Sequence, residues 1–241
     1  MNNLILVRHG QSLWNKEKRF TGWADIDLTD RGKNEAEYAG QLIKKLNIEF
    51  NEYFTSFQKR AITTLNIILE VINNNNNTKI NKAWELNERH YGDLTGLNKD
   101  EMKKKHGEKQ VHIWRRSFDI QPPAMKLTNS YHPLKNSAYA KIPKNKIPDS
   151  ESLKNTFERV VPYYENNIEP LLFEKKNILI SAHGNSLRAL CKKIFNISNK
   201  KIVDLEIPTG NPLLIVFDEN FKIKNYKYLD TKREKNILIN V

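Results

Sequence analysis

Two short apolar runs in this chain end alike: Leu4-Ile5-Leu6-Val7-Arg8-His9-Gly10 and Asn177-Ile178-Leu179-Ile180-Ser181-Ala182-His183-Gly184. Branched aliphatic runs of this kind suit strands buried on both faces of a sheet. The glycine after each allows a tight turn. Ligands of open α/β sheets collect beyond the carboxyl ends of the strands. If the two strands are neighbours, His9 and His183 face each other in that crevice. A neutral imidazole attacks phosphorus through one ring nitrogen while the other is fixed by a hydrogen bond. Arg8 adds a guanidinium, whose paired donors match phosphate oxygens. The chemistry this trio suits is phosphoryl handling.

The elements that must position these residues alternate strand and helix. Thr29 is a candidate N-cap, followed by a helix with Ala36, Ala39, Leu42, Ile43 and Leu46 on one face. Glu52 to Ser56 reads as a second strand and about Lys59 to Ile72 as a helix. Asn73 to Asn77 is a low-complexity loop. A third strand over Ile80 to Leu86 leads into Asn87-Glu88-Arg89-His90-Tyr91-Gly92. Two polar helices are expected within 98–118. An irregular, proline-rich insertion at 121–150 has the length of a functional lid or binding loop. A helix from Ser152 is expected to bend or break at Pro162. The strand ending at His183 precedes a helix from Asn185 to about Phe195, and Pro212 to Phe217 and Phe221 to Tyr228 read as closing strands. The pattern predicts an α/β fold, a three-layer α/β/α sandwich with a mostly parallel central sheet. Residues 1–241 read as one catalytic domain with a short tail at 231–241.

The composition, with 39% hydrophobic and 28% charged residues over 241, is that of a folded chain with a proper core. The single cysteine, Cys191, sits in an apolar helical run and reads as core, so a reducing, cytoplasmic location is expected. The chain enters its first strand almost at once, leaving no room for a signal peptide, and no apolar run approaches the ~20 residues of a membrane span. A net charge of +12 could serve nucleic acid, steer small anions, or only decorate the surface. No nucleic-acid motif accompanies the lysines, so neither nucleic acid nor membrane is expected as a partner.

A set of motifs carries a more specific message. Arg8-His9-Gly10 is followed by Ser12, Asn15 and Arg19-Phe20-Thr21-Gly22-Trp23, then by Lys59-Arg60-Ala61 and Trp84-Glu85-Leu86-Asn87-Glu88-Arg89-His90-Tyr91-Gly92. Further along come Gly96-Leu97-Asn98-Lys99, Trp114-Arg115-Arg116, Ala182-His183-Gly184-Asn185-Ser186-Leu187-Arg188-Ala189 and Ile207-Pro208-Thr209-Gly210. In this order the chain strongly resembles the cofactor-dependent phosphoglycerate mutases of the histidine phosphatase superfamily, over about residues 4 to 230. The resemblance implies a mutase-like fold and interconversion of 3- and 2-phosphoglycerate through a phosphohistidine at His9, primed by 2,3-bisphosphoglycerate. It also implies a homodimer or homotetramer.

It further implies roles. Arg8 and Arg60 clamp the phosphoryl group, His183 contacts it in transit, and Glu88 is the general acid and base. Such transfer depends chiefly on neutralising charge around the moving oxygens. Tyr91, Lys99, Arg115 and Arg116 read the substrate, and adjacent arginines on a helix cannot point the same way. Arg89 and His90 come with the Glu88 block, and Thr21 and Gly22 fit a substrate loop. Gly10, Gln11, Ser12 and Asn15 supply donors, while Gly184 and Asn185 open a helix whose free N–H groups favour an anion. Gln11 stands where the family commonly has Glu. No histidine or cysteine spacing suits a metal, so none is expected. The rival readings are a phosphatase of the same superfamily acting on a small phosphorylated metabolite, and a non-catalytic basic binding module.

Overall fold

The computed structural model describes residues 2–72 and 78–237. The expected Asn-rich loop at 73–77 and the end of the tail, 238–241, lie outside the described residues. In chain order the elements are β1 (Asn2–Arg8), α1 (Leu13–Lys16), α2 (Asp30–Lys44), β2 (Glu52–Thr55), α3 (Lys59–Val71) and β3 (Ile80–Lys82). They continue as α4 (Lys99–His106), α5 (Glu108–Arg116), α6 (Leu153–Asn167), α7 (Glu169–Phe173), β4 (Ile178–Ala182), α8 (Gly184–Ile194), β5 (Leu213–Phe217) and β6 (Ile223–Tyr228).

The strands form one sheet in the order β3-β2-β4-β1-β5-β6, with β5 alone running against the others. Successive strand side chains point to opposite faces, and β1 shows why its run has no polar alternation. Leu4 and Leu6 enter the core beneath α6, α7 and α8, while Ile5 and Val7 enter the core shared with α2 and α3. Both faces are therefore dry, and the three-layer α/β/α architecture follows. Cys191 is wholly buried in the first of these cores, where burial pushes its thiol up to about 12.

Thr29 caps α2, accepting from the Gly32 N–H at 3.1 Å. Three expectations need correction. β3 stops at Lys82, because the chain coils into a 3-10 turn at Trp84–Leu86 and turns Glu88 inward. Pro162 neither ends nor divides α6, which runs unbroken from Leu153 to Asn167. The 121–150 insertion is no lid: Tyr139 and Ile142 pack behind Trp23, and none of its residues lines the main cavity. The tail takes a different course. After a turn at Thr231–Arg233 it reaches the cavity rim at Lys235.

Candidate active site

β1 and β4 are parallel neighbours in a register that pairs Arg8 with Ala182. The next residue of each strand is therefore a histidine at the carboxyl edge of the sheet, tied by the His9 N–H to the Ala182 carbonyl at 3.0 Å. The two rings meet edge-on, with centroids 5.0 Å apart. His9 Nδ1 lies 2.7 Å from the Gly10 carbonyl oxygen. A carbonyl only accepts, so Nδ1 carries the proton and Nε2 keeps its lone pair. Burial, then Arg60 and Arg8, hold the His9 pKa well below its usual value, which keeps the ring neutral. This is the protonation state a nucleophile needs.

His183 is fully buried, with Nε2 2.7 Å from Ser56 Oγ. Ser56 Oγ accepts the Gln58 N–H at 3.1 Å. His183 Nδ1 is buried without a hydrogen-bond partner among the described residues, and it carries the ring proton when Ser56 Oγ donates to Nε2. Burial, Arg60 and His9 lower the His183 pKa as well.

The cavity beyond these rings measures about 310 Å³. Eight cations border it: Arg8, Arg19, Arg60, Lys99, Arg115, Arg116, Arg188 and Lys235, against two carboxylates, Glu88 and Glu206. Arg60, wholly buried on α3, is fixed by the Ala24 and Gly22 carbonyls, both at 2.9 Å. Arg8 is steadied by the Ile207 carbonyl at 2.8 Å, and its Nε is buried without a partner among the described residues. Gly184 lies flat against that guanidinium, where a Cβ would sit 3.5 Å from Arg8 Cζ.

Glu88 receives three N–H groups on one oxygen. Oε1 accepts from the Arg89 N–H at 2.8 Å, from the Asn185 N–H at 3.1 Å and from Asn185 Nδ2 at 2.9 Å. None of these three donors engages Oε2. Asn185 Nδ2 also reaches Tyr91 Oη at 3.3 Å. Burial raises the Tyr91 pKa, but Arg89, whose Cζ stands 4.6 Å from the ring centroid, together with Lys99 more than reverses this, to about 8. Burial lowers the Lys99 pKa, with Arg115 and Arg8 adding to it.

Of the residues singled out by sequence, Asn15, Thr21, Tyr91, Lys99, Arg115, Arg116, Gly184 and Asn185 line the cavity with Arg8, His9, Arg60 and Glu88. The others stand behind this wall. Gly10 abuts Gly32, and Gln11 binds Thr29 and, through its N–H, Glu35. Ser12 caps α1, and the Gly22 carbonyl holds Arg60 and Gln58. Arg89 supports Tyr91 and donates to the Arg115 carbonyl at 2.9 Å. His90 is fully buried against Trp23, its Nδ1 accepting the Gly92 N–H at 3.0 Å, away from the cavity. Burial lowers its pKa to about 4.

Sequence reasoning did not single out Arg188, Glu206 or Lys235 as site residues. Arg188 is the most legible of these, since an arginine inside the apolar run Leu187–Cys191 signals a paired or ligand-facing charge. It grips Asn185 Oδ1 at 2.8 Å and the Ile202 carbonyl at 2.6 Å, while burial and neighbouring Arg89 and Arg116 push its pKa down to about 9. Glu206 pairs with Arg116 and lies 4.0 Å from Lys235.

A family model for the histidine phosphatase superfamily (branch 1) matches residues 4–136. A 2,3-bisphosphoglycerate-dependent phosphoglycerate mutase of Pelagibacter ubique is 55% identical over 99% of this chain and 100% of its own. The chain belongs to the phosphoglycerate mutases of the histidine phosphatase superfamily. A mutase of the same name from Maricaulis maris is 48% identical over 98% of this chain and 97% of its own. Among solved structures, a mycobacterial glucosyl-3-phosphoglycerate phosphatase shares the fold with a TM-score of 0.70 at 18% identity, covering 95% of this chain and 97% of that one. A distant phosphatase thus shares the fold.

Proposed function

We infer that this chain is an intramolecular phosphotransferase that interconverts 3-phosphoglycerate and 2-phosphoglycerate, in glycolysis and gluconeogenesis. One observation carries the chemistry: a neutral imidazole, with its Nδ1 proton anchored on Gly10, presents Nε2 toward a cation-walled cavity. Full-length identity to named mutases supports the substrate. The cavity suits 2,3-bisphosphoglycerate, since buried Nε atoms of Arg8 and Arg188 have no hydrogen-bond partner among the described residues and the wall is strongly cationic. That compound supplies the priming phosphoryl group for His9.

Each half of the cycle moves one phosphoryl group and one proton. When phosphoglycerate attacks phospho-His9, the Nε2–P bond breaks as the new O–P bond forms, and the hydroxyl proton passes to Glu88 Oε2. In the return step Nε2 takes the other phosphate, and Glu88 gives its proton to the departing oxygen. Arg8 and Arg60 neutralise the equatorial oxygens, and His183 Nδ1–H donates to them. Asn15, Thr21, Tyr91, Lys99, Arg115, Arg116, Gly184 and Asn185 hold the carboxylate and the second phosphate. Gly10, Gln11, Ser12, Gly22, Arg89 and His90 shape that wall from behind.

Catalysis without a metal, one catalytic domain over residues 1–241, a cytoplasmic location and a homodimer or homotetramer complete the reading. Sedimentation equilibrium decides the last of these. Among the described residues no helix is long and apolar enough to cross a membrane.

Incubation with 2,3-bisphosphoglycerate is expected to give a stoichiometric, acid-labile phosphate on His9 by mass spectrometry. His9→Ala should lose both adduct and turnover while keeping its circular dichroism spectrum. Mutase activity surviving in that variant would refute the mechanism. Release of inorganic phosphate without isomerisation by the wild type would favour the phosphatase reading. EDTA should leave the rate unchanged; loss restored by a divalent ion would reject metal independence.

A further inference from the structure

Behind the cavity lies an ion pair that the catalytic cycle leaves unused. Arg159 on α6 and Glu151, just before the helix, are both buried, with side chains 8% and 3% exposed, and Arg159 Nε meets Glu151 Oε1 at 2.6 Å. Nη2 adds a second contact to Glu151 Oε2 at 2.9 Å, and the guanidinium also reaches one stretch of backbone. Nη1 binds the Glu85 carbonyl at 2.5 Å and the Asn87 carbonyl at 3.1 Å, and Nη2 binds the Glu88 carbonyl at 3.0 Å. Glu151 grips the other side of the same stretch: its Oε2 accepts the His90 N–H at 2.7 Å, and its own N–H donates to the His90 carbonyl at 2.9 Å. The Arg159 guanidinium also stands 5.6 Å from the centroid of Trp23, which follows Thr21 and Gly22 in the loop beside the cavity.

We propose that Arg159 and Glu151 form a positioning pair that fixes the Glu88 carboxylate for proton transfer, and that this pair sets the rate of the acid–base step. Residues 83–91 contain no helix turn longer than Trp84–Leu86 and no strand pairing beyond the bond from the Ala83 N–H to the Thr55 carbonyl. Such a segment has little regular structure to hold it. Arg159 replaces that missing ladder with a planar fork reaching three carbonyls, a geometry Lys cannot copy. An isolated buried ion pair is weak evidence for stability, because desolvation offsets the attraction. Spending the donors of a buried guanidinium on the backbone around one carboxylate is better explained by aim, since sub-ångström placement governs proton transfer.

The inference rests on Glu88 being the acid and base, and the test separates the two claims. Glu88→Gln, Arg159→Lys, the double variant and Glu151→Gln are compared on phosphoglycerate and on p-nitrophenyl phosphate, whose leaving group departs without an acid. Arg159→Lys is expected to lower kcat on phosphoglycerate roughly tenfold or more, as a fraction of the ~10²–10⁴ of general acid–base catalysis, with KM little changed. Its rate on the aryl ester should stay near wild type. The double variant should be no slower than Glu88→Gln alone, because effects through one group do not add. Glu151→Gln, which keeps the shape of the side chain but replaces one acceptor oxygen by an NH2 that faces the Arg159 or His90 donors, covers the case where Arg159→Lys does not fold, and should show the same substrate-selective loss. Additive losses, or equal losses on both substrates, overturn the positioning role. A Glu88→Gln enzyme as fast as wild type on phosphoglycerate overturns the acid–base assignment, and the inference with it.

Discussion

Tyr91 has a sharper role than its place in a motif suggests. Its phenol shares Asn185 with the Glu88 carboxylate, faces the Arg89 guanidinium and titrates at about 8. Below that value the hydroxyl is neutral and can donate to a substrate anion. Above it, a phenolate places negative charge where a carboxylate or phosphate must bind. KM for phosphoglycerate is therefore expected to rise above pH 8, with kcat less affected, and Tyr91→Phe should flatten the rise. A rise that survives in Tyr91→Phe assigns the effect to Lys99, whose pKa is also lowered. The place of Tyr91 at the cavity was legible from its motif, but its charge behaviour was not, since that depends on Arg89 stacking against it.

At the scale of elements, the site depends on how closely the β1 turn approaches α2. A Cβ on Gly10 would lie 2.0 Å from the Gly32 carbonyl oxygen, and one on Gly32 would lie 2.1 Å from the Gln11 carbonyl oxygen. The two backbones touch, and that contact sets where His9 leaves the sheet. Gly32→Ala is expected to cost about 1–3 kcal/mol as overpacking and to slow phosphorylation of His9 as well. Urea unfolding and adduct formation measure the two effects; a variant unchanged in both would show that the turn can relax. Sequence periodicity placed β1, β4, α2 and α3 well because each has one clear face or two. It misread the insertion at 121–150, whose prolines suggested a lid. Its buried anchors, Tyr139 and Ile142, are a single i,i+3 pair among mostly polar residues, too few to mark a periodic face.

For the whole molecule, three buried histidines tie stability to pH. His9, His90 and His183 all have folded pKa values below the ordinary 6.5. As pH falls below 6.5 the unfolded chain takes up protons that the folded one refuses, so stability drops until each folded pKa is reached. With values of about 4 folded and 6.5 unfolded, His90 alone removes about 2 kcal/mol between pH 7 and pH 5. Urea midpoints at the two pH values check this, and His90→Asn should reduce the difference. A midpoint that rises on acidification would contradict the burial argument. The net charge of +12 belongs to this scale too. Part of it lines the cavity, and a field of that kind draws small anions inward.

By itself the sequence determined the two strand–His–Gly ends, the alternation that demands a covered parallel sheet, and the family to which the motifs belong. These are local signals: hydrophobic period, turn glycines and short ordered blocks. The tertiary structure decided what no local signal holds. Register brought His9 within 5.0 Å of His183, and burial set their charge state. Folding also carried Arg188, Glu206 and Lys235 to the cavity and Arg159 to the back of the Glu88 loop. Those contacts join residues up to a hundred or more positions apart, so their energies exist only once the sheet has closed.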